Sequence, residues 1–289
     1  MEIKYNKENE IDLPISPSLE KNIEALDSIF SEWGDIVKKK FVLERAEDTL
    51  DMYIIYIDGL TDNEMVERTI TRPLLYEWRN AGPGDAGNTK EEKKMQGDDV
   101  FKRLFHNQTE AVDLVEKKTM MDAVSAVLKG DTAIFIDGAD KVMLLSTKKL
   151  PTRSVDSPQK EGGLKGPRDS FNENLRINTA LLRRRIKDPK MKAKQNHLGQ
   201  RSRTEYALMY MEDLVYPSLL DEIEKRLESF TIDGVFDSGM LVHLLEEKWY
   251  SPFPQVQTTE RPDKAASAIM EGRVVLVVDN SPEVIILPT

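Results

Sequence analysis

Ala126–Thr147 reads AVLKGDTAIFIDGADKVMLLST, and Ala268–Thr289 reads AIMEGRVVLVVDNSPEVIILPT. Aligned without a gap, Gly130 falls on Gly272, Asp137 on Asp279 and Thr147 on Thr289. Each copy opens on the end of an apolar helix that a glycine can stop, because Gly takes the left-handed cap conformation without a steric penalty. Two short β-branched runs follow, Thr132–Ile136 and Val142–Leu145 in the first copy, joined by the hairpin residues Asp137-Gly138-Ala139-Asp140. Hairpins of this kind can look alike by composition, so the flanking order matters. Ser18-Leu19 through Asn22-Ile23 matches Ser170-Phe171 through Asn174-Leu175, and Tyr53–Leu60 resembles Leu208–Leu214. The order helix, strand, strand, helices, strand, strand occurs twice. It predicts an α/β fold of two similar lobes, each a mixed sheet covered by helices, produced by an internal duplication and joined by a linker.

Punctuation places the boundaries. Residues 1–16 are polar and read as a flexible tail. The first lobe spans 17–150 and the second 166–289. The linker, 151–165, lies in a stretch rich in Pro, Gly, Ser and charge. Asn80–Asp99, NAGPGDAGNTKEEKKMQGDD, reads as a mobile Gly-rich loop inserted in the first copy. Gly82 and Gly87 have phosphate-loop separation, but Asn88 stands where that motif needs Lys and no strand precedes it.

The totals exclude several classes. Lys plus Arg is 41 and Asp plus Glu is 51 in 289 residues, a net charge of −10, which argues against a nucleic-acid partner. There is no cysteine, hence no disulfide and no thiolate metal site. The polar N-terminus is unlike a signal peptide, and no run approaches the ~18 apolar residues of a membrane helix. The chain therefore reads as soluble. His106, His197 and His243 have no neighbours at metal-ligand spacing, and no GxSxG elbow occurs. We expect no enzymatic activity, no cofactor and no metal.

Gly166–Pro189, GPRDSFNENLRINTALLRRRIKDP, reads as one capped amphipathic helix. Ser170 and Glu173 have capping-box spacing, Phe171, Leu175, Leu182 and Ile186 form an apolar face, and Asp188-Pro189 ends it. Charge on a helix face is usually a solvated surface. Here Arg168, Arg176, Arg183 and Arg184, with Asn174 and Asn178, could equally present guanidinium and amide groups to a partner or an anion. Nine Lys or Arg against one acid between Arg183 and Arg203 make a local basic patch for phosphate, anionic lipid or an acidic partner. The Pro-fixed loop 250–264, with Pro254, Gln255, Glu260 and Arg261, is a second candidate contact surface.

Three stretches carry a resemblance: GPRDSFNENLRINTALLRRRIKDP, PFPQVQTTERPDKAASAIMEGRVVLVVDNSP and IIYIDGLTD. Together they resemble the A subunits of the GerA family, the spore germinant receptors of endospore-forming bacteria, over nearly all of the chain from about residue 30. The resemblance implies a soluble N-terminal domain on the spore-core side of the inner spore membrane, ahead of a membrane bundle. It implies B and C subunits as partners, and a receptor that senses a small nutrient to trigger germination. A-subunit-like proteins of the dipicolinic acid release system share the same motifs and remain an alternative.

Two readings follow. In the first, the domain serves receptor assembly and signal transmission, and its arginines lie on an outer surface or in internal pairs. In the second, it holds the nutrient in a cleft between the lobes, and several arginines converge on one concavity.

Overall fold

The computed structural model describes residues 13–45, 48–72, 114–149, 167, 169–246 and 255–288. The Gly-rich stretch 80–99 and the linker 151–165 lie outside these residues. The chain forms two compact units. Unit 1 takes residues 1–28, 36–57 and 61–149; unit 2 takes 29–35, 58–60 and 150–289. Two short pieces of the first half of the chain therefore belong to unit 2.

Unit 1 runs α1 (Leu19–Ile29), β1 (Ile36–Arg45), β2 (Asp48–Ile57), α2 (Asn63–Val66) with a π-helical turn at Glu67–Thr71, β3 (Leu114–Lys117), α3 (Met120–Leu128), β4 (Thr132–Ile136) and β5 (Val142–Leu145). Unit 2 runs α4 (Leu175–Arg185), β6 (Met191–Leu198), β7 (Thr204–Met211), α5 (Pro217–Ser229), α6 (Ser238–Leu245), β8 (Gln257–Thr259), α7 (Pro262–Met270), β9 (Val274–Val278) and β10 (Val284–Leu287). The sheets have orders β1-β2-β4-β5-β3 and β6-β7-β9-β10-β8. Numbered within its own unit, each sheet is 1-2-4-5-3. Each ladder is antiparallel, where a mixed sheet was expected. The connections explain this. Strands 1–2 and 4–5 are hairpins, and in unit 2 the helices α5 and α6 lie between strand 2 and the edge strand 3.

The all-apolar run β9, Val-Val-Leu-Val-Val, is buried throughout. A strand of that kind needs cover on both faces. On one face Ala207, Met209, Val275, Val277 and Ile286 pack with Leu182 and Ile269 from α4 and α7. On the other, Tyr206, Leu208, Tyr210, Leu276 and Ile285 pack with Ile223, Leu227, Leu241 and Leu245 from α5 and α6. In unit 1, Met52, Ile54, Ile134, Ile136, Met143 and Leu145 form a core with Val66 and Ile70.

The duplication is legible down to single hydrogen bonds. Asp137 Oδ1 accepts from Leu19 N at 3.0 Å, and Asp279 Oδ1 accepts from Leu175 N at 3.1 Å. Each carboxylate thus satisfies a free N–H at the start of its unit's first helix. Gly138 N donates to Pro17 O and Asn280 N to Glu173 O; both donors have positive φ. Asn22 bridges Ser16, through Oδ1 to N and Nδ2 to O. Asn178 does the same with Asn172. These bonds set the equivalence of α1 and α4 as Leu19 with Leu175 and Asn22 with Asn178. The sequence match of Ser18-Leu19 to Ser170-Phe171 is therefore off by about one helical turn. Helix α4 likewise begins later than expected. Asn174, not Ser170, is the N-cap and accepts from Ile177 N, while Ser170 is buried and donates to Glu260 O.

Asn22→Ala and Asn178→Ala each strand a backbone donor and acceptor, so each should cost about 1–3 kcal/mol. Hydrogen exchange should place the first loss in unit 1 and the second in unit 2; equal loss in both units would contradict this division.

Candidate functional site

The feature that stands out in unit 2 is a buried arginine. Arg183 lies on α4 with its side chain 1% exposed, and its partner Asp35 is 0% exposed. Nε donates to Asp35 Oδ2 at 2.8 Å and Nη2 to Oδ1 at 2.9 Å, a bidentate fork. Nη1 donates to Met191 O, and the guanidinium carbon sits 3.4 Å from the Trp33 ring centroid. Trp33 in turn donates from Nε1 to Pro189 O at 3.2 Å and meets Phe30 edge-on at 4.9 Å. A charged side chain is almost never fully buried unless paired, and here both ions are.

These contacts hold the segment 29–35 along the outer edge of β6. Trp33 forms a parallel bridge with Ala193; Gly34 N donates to Ala193 O at 2.9 Å, and Ala193 N to Glu32 O at 3.2 Å. A Cβ on Gly34 would stand 2.6 Å from Gln195 Cγ, so the segment lies this close only because residue 34 is glycine. Lys192 Nζ reaches Ser31 Oγ at 3.0 Å, and Tyr210 Oη donates to Glu32 Oε2 at 2.8 Å. Burial, then the Glu32 carboxylate, pushes the Tyr210 hydroxyl well above its ordinary pKa.

The second short piece, 58–60, sits on the same helix. Gly59 has φ +86, and a Cβ there would meet Arg176 O at 2.9 Å and Ala180 Cβ at 3.3 Å. Arg176 is partly exposed. It donates to Gln195 Oε1 at 2.8 Å and lies 3.6 Å from Asp58 Oδ2. Gln195 Nε2 is buried with no partner among the described residues.

The other expected contact residues have internal tasks. Asn174 caps α4 and Asn178 ties Asn172. Glu260 is buried, and its carbonyl accepts from Phe171 N and Ser170 Oγ. Arg261 forks onto Asp263 at 3.1 and 2.6 Å. Gln255 is half-buried and Arg184 is exposed on α4. Arg168 and Pro254 lie outside the described residues. Within the basic patch, Lys192 and Lys194 lie on β6 and Lys190 just before it, and all three face carboxylates: Lys190 pairs with Asp213 at 3.0 Å, Lys192 with Glu212 at 3.3 Å and Lys194 with Glu224 at 2.7 Å. Sequence reading missed Asp35 and Trp33, since nothing in Trp33-Gly34-Asp35 marks a partner nearly 150 residues away.

Unit 2 also has a shallow depression of about 250 Å³ lined by Gln257, Asp263, Lys264, Ser267, Arg273 and Ile286. None of the expected contact residues lines it. No helix among the described residues is long and apolar enough to cross a membrane.

Comparison with known proteins adds an independent line. The family profile described as Bacillus/Clostridium GerA spore germination protein matches residues 24–289. Spore germination protein A1 of Bacillus subtilis (strain 168) is 35% identical over 257 residues, covering 89% of this chain and 48% of that protein. Membrane protein YfkQ of the same strain is 33% identical over 287 residues, covering 99% of this chain and 52% of YfkQ. The chain thus spans about half the length of these relatives. The crystal structure of the N-terminal domain of the A subunit of the Bacillus megaterium spore germinant receptor GerK3 has the same fold. Its TM-score is 0.71 at 24% identity, covering 96% of this chain and 97% of that one.

Two outcomes test the geometry. Asp35→Ala leaves Arg183 buried and unpaired and should cost about 3–5 kcal/mol. Asp35→Ala with Arg183→Met should cost less than the sum of the single changes, read from urea midpoints of unit 2; additivity would mean the pair is not coupled. The Arg261 guanidinium holds the Asp263 carboxyl below its usual pKa. The folded state then binds that proton less tightly than the unfolded chain. The pair's stabilisation is present above the ordinary carboxylate pKa and is lost as pH falls through the lowered one. Arg261→Gln should raise the Asp263 pKa in an NMR titration.

Proposed function

Since the chain belongs to the GerA family of Bacillus/Clostridium spore germination proteins, we propose that it is the assembly and signal-transmission domain of a germinant receptor A subunit. In this reading it has no catalytic role. It works with B and C subunits at the inner spore membrane, on the core side, and passes a conformational change that starts germination. One observation carries this reading: Arg176, one of the two arginines an acidic nutrient would want, is tied within unit 2 to Gln195 and Asp58, and Arg183 on the same helix to Asp35. The Arg183 guanidinium, committed to a buried bidentate pair, is poorly placed to trade partners with a ligand, because breaking a buried pair leaves a charge uncompensated.

A small-molecule site on one surface of unit 2 is the second reading. The depression beside α7 brings Asp263 together with Lys264 and Arg273, the opposite charges a free amino acid would need. Against it, Asp263 already serves Arg261, and Arg273 donates to Glu271 at 2.5 Å. The role of an A-subunit-like protein in dipicolinic acid release rests on shared family motifs.

A thermal-shift screen against amino acids, sugars, inorganic ions and dipicolinate separates the readings. A ligand at 100 times its Kd would stabilise the fold by about 2.7 kcal/mol, a shift of a few degrees. We expect no saturable shift, together with retention of co-expressed B and C subunits on the immobilised full-length protein. A saturable shift that Asp263→Asn abolishes would replace transmission with ligand binding.

A further inference from the structure

The chain contains three Asp-Gly steps, and each follows an isoleucine: Ile57-Asp58-Gly59, Ile136-Asp137-Gly138 and Ile232-Asp233-Gly234. At such a step the side-chain carboxyl readily meets the next backbone nitrogen, because glycine has no Cβ to hinder the approach or restrict the backbone. The shared Ile-Asp-Gly sequence gives the three steps the same local chemistry. What differs is how the fold holds the two reacting groups, the aspartate carboxyl and the glycine nitrogen.

At Asp137 both groups are engaged. Oδ1 accepts from Leu19 N at 3.0 Å, and Gly138 N donates to Pro17 O at 2.8 Å. At Asp58 the turn is wedged on α4. A Cβ on Gly59 would stand 2.9 Å from Arg176 O, and the Asp58 carboxylate lies 3.6 Å from Arg176 Nε. At Asp233 neither group is held. Residues 230–237 connect α5 to α6, outside any helix or strand. The Asp233 side chain is 76% exposed, and its ion-pair partner Arg201, 3.6 Å away, is 85% exposed, a pair that water replaces at little cost. Gly234 N has no hydrogen bond among the described residues.

We propose that Asp233-Gly234 is a site of spontaneous covalent modification, at which aspartate cyclises and reopens as isoaspartate. Gly234 N attacks Cγ of the protonated Asp233 carboxyl, its proton passes to solvent, and one carboxyl oxygen leaves as water. The cyclic succinimide then takes up water at either carbonyl. Opening at Cγ restores aspartate. Opening at the other carbonyl leaves isoaspartate, with the main chain running through Cβ and Cγ and the α-carboxylate free. The composition is unchanged, but the main chain is one atom longer. Segment 232–235 holds the turn between β6 and β7: Gln200 N donates to Ile232 O at 2.9 Å, Arg201 N and Ser202 N to Asp233 O at 2.8 and 3.1 Å, and Val235 N to Ser202 Oγ at 3.1 Å. Val235 is 1% exposed and fixed in the core, so the added length falls on these bonds. The fold thus shields the two steps whose lengthening would unseat the start of α1 or the contact on α4, and leaves the third open.

The test incubates the protein in mildly acid buffer, native and in urea, and follows isoaspartate at each step by peptide mapping with isoaspartyl methyltransferase labelling. In urea the three steps should react alike. In the native state Asp137 should react about tenfold or more slowly than in urea, because its two hydrogen bonds must open first, and Asp58 should be slowed as well. Asp233 should keep its urea rate within about twofold, as a step already open to solvent. Protection of Asp233 equal to that of Asp137 would overturn the proposal. Gly234→Ala should lower isoaspartate at residue 233 in the native protein, since a β-carbon hinders the attacking nitrogen. That Cβ meets Ser202 Cβ at 3.4 Å and Phe236 Cζ at 3.1 Å, the latter the far end of a 74% exposed side chain that can move. An unchanged yield in this variant would also overturn the proposal. Amide exchange at Gln200, Arg201 and Ser202 should quicken in the isoaspartate form, and unaltered exchange would contradict the loosening of the turn.

Discussion

The Arg183–Asp35 pair is the constraint on which the rest of unit 2 depends. It joins α4 to a segment that precedes it by nearly 150 residues, and it does so where water is excluded. Buried ion pairs are weak net contributors because desolvation offsets attraction. Their value is discrimination. With Asp35 seated, Trp33 covers the guanidinium, Gly34 meets Gln195, and residues 32–34 bond to the edge of β6. A shift of the segment by one residue would leave an unpaired charge in the core.

The same arrangement deals with the exposed edge of a sheet. An unpaired edge strand invites pairing with other chains. In unit 2 the backbone of residues 32–34 occupies β6 near Ala193. In unit 1 the corresponding strand carries Lys38, Lys39 and Lys40 in succession, charged residues of the type that discourage indiscriminate edge pairing. Duplicated elements have thus taken different solutions to one physical problem, and the difference lies in what each first helix presents: arginines in α4, acids in α1.

The arginines and asparagines of α4 show why residue type alone misleads about sites. Asn178 looks like an exposed amide in sequence, yet Asn22 makes the same pair of bonds in the other unit. A task performed in both copies is a task of the fold. Arg183 has the opposite signature. Its counterpart Asp27 is exposed at 54% and bound to Lys38, so the burial of Arg183 is a property of unit 2 alone.

Much of the architecture was determined by the sequence itself. Alternating and continuous apolar runs, Gly130 and Gly272 as helix stops, and the turn residues around Asp137 and Asp279 specify local backbone states, which short-range sterics decide. Their recurrence in one order exposed the duplication, and three motif stretches pointed to the family. The strand β6 was not legible, because four of its residues are Lys, His or Asn and its charges mask an edge strand as a basic patch. The start of α4 was misplaced because Ser170 has capping chemistry but meets Glu260. Which arginines face solvent, which segment closes which edge, and the choice of Asp35 as partner were decided only by tertiary structure. Those contacts join residues far apart in the chain, and no local pattern encodes a partner that long-range packing selects.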